Sequence, residues 1–71
     1  MQRFGEKLRT LRQRRGLSVR QLAAQLDISA HSHIAKIETG QSRPSADLIL
    51  KIARFFEVPI DVLMKDELDL E

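Results

Sequence analysis

The chain has 71 residues and no cysteine, which leaves room for one domain and excludes disulfides and thiolate metal sites. Hydrophobic residues (42%) suffice for a core, charged residues (31%) for solubility, and no apolar run approaches the roughly 18–20 residues of a membrane span. The net charge of +2 divides unevenly: residues 1–43 carry nine Lys/Arg against three acids, and residues 44–71 carry three against seven.

Phe4, Leu8 and Leu11 recur at i, i+4 and i+7, which predicts a first amphipathic helix ringed by arginines. Arg12, Arg14 and Arg15 suit the negative end of its dipole, and Gly16 ends it. No uninterrupted apolar stretch follows the basic segment Met1–Arg15, so a cytoplasmic start is expected rather than a signal peptide. Ser18 is the expected N-cap of a second helix with Val19, Leu22, Ala23 and Leu26 on one face. Asp27, Ile28 and Ser29 break that pattern as a turn, with Ile28 directed inward.

A third helix follows over 31–39, with Ile34 and Ile37 apolar and Gly40 as its stop. Gln41–Pro44 is a polar loop, and Ser45 is the expected N-cap of a fourth helix, with Asp47 in the first turn. Ile49, Ile52, Ala53 and Phe56 form the core stripe of that helix. Val58 and Pro59 interrupt, and Ile60–Met64 can form a short fifth helix. The acidic end, 66–71, is expected to fray as a solvated tail, although it could also repel stray DNA or engage a basic partner. Nothing alternates with period two for long enough to be a strand, so the fold class is all-α.

The charge asymmetry suggests one basic surface that meets a polyanion; the plainer alternative is that Arg12, Arg14 and Arg15 solvate a helix end. Helices over 18–26 and 31–39, joined by a tight turn, form a helix-turn-helix, in which the first helix crosses the nucleic-acid backbone and the second reads base edges. Ala23 is the small residue at their crossing, and Leu26, Ile28, Ile34 and Ile37 close the core beneath.

The residues LRTLRQRRGLS, LA with the following Leu26, and Ile34, Lys36, Ile37, Glu38, Gly40, Pro44 and Ser45 carry a resemblance that spans Phe4 to Met64. On them the chain resembles the Cro/C1-type (XRE) helix-turn-helix regulators. The resemblance implies a compact five-helix, lambda-repressor-like domain over 1–65 that binds palindromic operators as a homodimer. It also implies that Glu38 organises neighbouring polar groups by pairing with an arginine. Two departures stand out. One extra residue lies between Leu26 and Ile34, leaving Ser29 or Ala30 as the third-helix N-cap. Val19 occupies the position where the family often has glutamine on phosphate, so Arg20 or Gln21 must supply that contact.

His31, Ser32, Ala35 and Lys36 are the base-edge candidates: serine donates or accepts, histidine donates to guanine, alanine meets a thymine methyl, and lysine reaches guanine or a phosphate. Arg12, Arg20, Gln21, His33, Thr39, Gln41, Ser42 and Arg43 are phosphate candidates. His31 and His33 point about 200° apart on a helix, so a shared metal ion is not expected. Protonated histidine could instead make a DNA contact pH-sensitive. Leu48 and Phe55 flank the fourth helix's stripe; either the fifth helix covers them, or they join Ile60 and Met64 in a dimer face. The expected function is sequence-specific double-stranded-DNA binding by a repressor, without cofactor, enzymatic chemistry or membrane partner. The rival is a protein-interaction module of the same fold, such as an antitoxin with a protein partner.

Overall fold

The computed structural model describes residues 2–27 and 31–70. Among the described residues the chain forms five helices and no strand: α1 (Phe4–Arg14), α2 (Val19–Gln25), α3 (His31–Glu38), α4 (Ala46–Phe56) and α5 (Ile60–Met64). No helix among them is long and apolar enough to cross a membrane.

The helix ends follow from local chemistry. Gly16, at φ 65°, closes α1: its N–H donates to the Gln13 carbonyl and that of Leu17 to the Arg12 carbonyl. This is a Schellman cap, which needs a residue that tolerates the left-handed region. Gly40, at φ 83°, does the same for α3, with Gly40 N–H on the Ile37 carbonyl and Gln41 N–H on that of Lys36. Ser18 caps α2 in a full capping box, accepting at Oγ from Gln21 N–H while Gln21 Oε1 accepts from Ser18 N–H. Ser45 Oγ accepts from Leu48 N–H at the start of α4. Asp27 turns the chain out of α2 at φ 58°, a conformation that aspartate tolerates better than most residues. The expected inward packing of Ile28, the choice between Ser29 and Ala30 as N-cap, and the bulk of the one-residue excess lie outside the described residues.

One core joins the helices. Phe4, Leu8 and Leu11 of α1, Leu22 and Ala23 of α2 with Leu26, and Ile34 and Ile37 of α3 are all buried. Leu48, Ile49, Ile52, Ala53 and Phe56 of α4 and Leu63 of α5 complete it. The stripes expected from periodicity are the buried ones, except that Val19 is only partly covered.

Three expectations need correction. Leu48 is buried within a single copy, so it adds no apolar surface to a dimer face. Phe55 is half-buried, with the Arg15 guanidinium 4.8 Å from its ring centroid and 5.1 Å from that of Phe56, a cation–π arrangement that covers it. The acidic tail does not fray over its described length. The Asp66 carboxylate accepts from the N–H groups of Gln2 (2.8 Å) and Arg3 (2.9 Å). The Arg3 guanidinium donates to the Asp66 carbonyl and to Asp69, and Leu70 packs on the core.

Candidate nucleic-acid interface

At 100° per residue, the positions of α3 separate into two faces. Ile34, Ile37 and Glu38 are buried within an arc of about 100°, and His31, Ser32, Ala35 and Lys36 are exposed on an arc of about 140° beside it. The four base-edge candidates therefore share one solvent-facing surface. His33 lies on the other flank and is half-buried. Around Gly40, Thr39, Gln41 and Arg43 are exposed and Ser42 is half-buried. The Lys36 carbonyl folds this loop back, accepting from Thr39 Oγ1, Gln41 N–H and Ser42 N–H.

The two faces are fixed by what holds α3 against α1. Glu38 has a side chain only 2% exposed, and its carboxylate receives the Arg12 fork: Nε to Oε2 at 2.7 Å and Nη2 to Oε1 at 3.0 Å. Arg12 Nη1 donates to the Leu17 carbonyl at 2.8 Å, so all three guanidinium nitrogens are engaged. The hydrogen bond to Glu38 is the chief reason the Arg12 pKa stands above its ordinary value, against the opposing cost of burial. Arg9 adds a longer contact, Nε to Oε1 at 3.4 Å, from a half-exposed position. The arginine partner expected for Glu38 is thus Arg12, with Arg9 as second. Arg12's guanidinium is occupied inside the domain rather than offered to phosphate.

Gly5 sets how closely α1 and α3 approach. A Cβ there would collide with the Ile37 carbonyl oxygen and lie 2.8 Å from that of Glu38, both backbone atoms at the end of α3. No larger residue fits without moving one helix. Between the first turn of α1 and the loop after α3 lies a groove of about 490 Å³, bordered by Gln2, Gly5, Ile37 and Arg43.

Much of the basic excess in residues 1–43 turns out to be internal wiring. Lys7 is buried, and its ammonium donates to the carbonyls of Val62 (2.6 Å) and Lys65 (2.9 Å), satisfying the C-terminal end of α5. Arg3 is bound to the tail, Arg12 to Glu38, and Arg15 to the phenylalanine pair. Within residues 1–43, the exposed cations without a hydrogen bond, ion pair or ring contact among the described residues are Arg20 on α2, Lys36 on α3 and Arg43 after it; Lys51 and Arg54 on α4 are exposed in the same way. Lys36 belongs to the open face of α3, Arg43 lies in the loop that follows that helix, and Arg20 lies in the first turn of α2. Gln21 is exposed; its Oε1 is held by the capping box, so only its amide N–H₂ remains to donate. Sequence reasoning missed Gly5, Lys7 and Arg9. A signal existed for Lys7: Phe4, Lys7, Leu8 and Leu11 complete the i, i+3, i+4, i+7 stripe.

The family model described as a helix-turn-helix domain matches residues 3–65. The chain is 41% identical over 64 residues to the HTH-type transcriptional activator BcrR of Enterococcus faecalis, across 90% of this chain and 31% of that protein. It is 42% identical over 65 residues to the HTH-type transcriptional repressor RghR of Bacillus subtilis (strain 168), across 90% of this chain and 47% of that one. An uncharacterized HTH-type transcriptional regulator, RghRB, of the same organism is 43% identical over 65 residues, across 90% and 46%. The chain thus spans about a third to a half of the length of these relatives. Its five-helix fold, the motif residues on α1 to α4 and the match over nearly the whole chain agree: the chain belongs to the helix-turn-helix family of transcription regulators, of the XRE type.

Proposed function

We propose that the chain binds double-stranded DNA sequence-specifically as a homodimer, with α3 of each copy in the major groove of one half of a palindromic site. The observation that carries this reading is the single open face of α3, where His31, Ser32, Ala35 and Lys36 lie together, opposite the face buried in the core. These side chains read base edges. Arg20, Arg43, Gln41, Thr39, Ser42, His33 and the amide of Gln21 hold phosphates and set the register of α3 in the groove. With Arg12 committed to Glu38, it serves by fixing α3 rather than by touching DNA.

The dimer is joined through α5, where Ile60 (37% exposed) and Met64 (41% exposed) are four residues apart and so on one side. Leu68, 37% exposed, extends the apolar surface available to a second copy. Pairing two modules places two recognition helices about 34 Å apart, one turn of DNA. The regulatory outcome is repression by occupying the site, which requires nothing beyond binding, and the module performs no chemistry of its own. The relatives include both an activator and a repressor.

Selection from duplexes with a randomised centre, at modest salt, tests the reading. It predicts an inverted repeat with half-sites about one helical turn apart. Recovery of no motif would refute it, and recovery of a single unrepeated half-site would refute the dimer.

A further inference from the structure

The first turn of α1 is gripped from two opposite sides. Arg3 and Lys7 are four residues apart and so lie on one side of the helix, and both are bound to the segment that follows α5. Lys7 holds the Val62 and Lys65 carbonyls, and Arg3 holds the Asp66 carbonyl and the Asp69 carboxylate. Gly5, two residues from each, points about 200° away, toward the terminal carbonyls of α3. Arg3, the N-cap of α1, has no side-chain capping bond of its own. The anion at this helix start is instead the Asp66 carboxylate, which takes the N–H groups of Gln2 and Arg3 with one oxygen each.

We infer that Asp66 is a positioning residue for DNA binding: its carboxylate fixes the first turn of α1, and that turn seats the C-terminal end of α3 through the close approach at Gly5. The inference rests on the DNA-binding reading above. Its physical basis is the absence of slack. A clearance too small for one methyl group passes a displacement of α1 directly to the Ile37 and Glu38 backbone. The same backbone leads into Gly40, Ser42 and Arg43, which border the groove beside α1.

The consequence runs against simple electrostatics. Removing a negative charge from a DNA-binding protein should strengthen its attraction to phosphate. Here removal of Asp66 weakens binding. Glu67 supplies the control, because it is the adjacent acid, is exposed, and has no partner among the described residues.

The test compares Asp66→Ala, Asp66→Asn and Glu67→Ala in the 71-residue chain, by titration with the duplex that selection recovers and by amide chemical shifts of the free protein. The inference predicts that Asp66→Ala binds about fivefold more weakly, within the range typical of coupling between distant sites. Asp66→Asn, which keeps one acceptor oxygen, falls between it and wild type, and Glu67→Ala binds as wild type or slightly tighter. It also predicts that Asp66→Ala moves the amides of Gly5, Ile37, Glu38 and Gly40. Asp66→Ala binding as tightly as Glu67→Ala overturns the inference, as do amide changes that stop within α1 and the tail. If wild type binds no duplex, the DNA-binding reading itself fails, and the α3 amides alone then decide whether Asp66 seats that helix.

Discussion

Replacing Arg12 with methionine removes the guanidinium fork from Glu38 while keeping most of the side chain's apolar length. Glu38, only 2% exposed in its side chain, then keeps a single charged neighbour, Arg9, whose Nε is 3.4 Å away and whose side chain is half in solvent. Breaking a buried ion pair at one partner costs about 3–5 kcal/mol, and Arg9's ability to swing inward places this site near 3 kcal/mol. A domain of this size has about 4–10 kcal/mol of stability in all, so the loss is a large share of it. The midpoint of thermal unfolding should fall by roughly 15 °C. Glu38→Gln should cost less, about 1–2 kcal/mol, because it removes the buried charge and leaves an acceptor for Arg12, which can turn outward. The double variant Arg12→Met/Glu38→Leu should return to within about 1 kcal/mol of wild type, since an apolar pair of similar volume needs no desolvation. Urea unfolding followed by circular dichroism, with unchanged m-values, measures all three. An Arg12→Met variant within about 0.5 kcal/mol of wild type would refute the assignment of Arg12 and Glu38 as the pair that locks α3 to α1, since that is the effect of an ordinary surface change.

Gly5→Ala should destabilise the chain by about 1–3 kcal/mol through overpacking, although alanine in a helix ordinarily gains up to about 1 kcal/mol over glycine; a stabilised variant in urea unfolding would show that α1 and α3 are not in close contact there. The hydrogen bonds from Arg3 and Gln2 N–H hold the Asp66 pKa below its ordinary 3.8. The folded state therefore binds fewer protons than the unfolded one in acid, and this stability is present above pH 3.8 and lost as pH falls through the depressed folded value. Asp66→Asn should flatten that part of the pH–stability curve and leave the neutral range parallel to wild type. Arg43→Ala should weaken all duplexes alike and lower the slope of log K against log salt by about one unit, the mark of a lost phosphate contact.

What was legible in the sequence was local. Ser18, Gly16, Gly40 and Ser45 announce helix ends because caps are settled within a few residues, and the apolar stripes locate the buried faces of α1 and α4 because burial follows helical period. The partners of the charged residues were not legible. Arg12 meets Glu38 across 26 positions, Lys7 meets Val62 across 55, and Arg3 meets Asp69 across 66, separations at which no sequence pattern records who pairs with whom. For that reason the basic half of the chain read as one surface for a polyanion, whereas Arg3, Lys7, Arg12 and Arg15 are bound within the fold. The exposed face of α3 lies between these cases. Ile34 and Ile37 identify its back, and its front is then set by geometry.

The central claim is that this front reads bases. Repeating the duplex selection with a His31→Ala/Ser32→Ala variant tests it most directly, because both residues are exposed and neither supports the core. The account predicts relaxed preference at one or two positions of each half-site, with the remaining positions and the spacing of the repeat unchanged. A motif identical to that of wild type, or a uniform loss across all sequences, would contradict it.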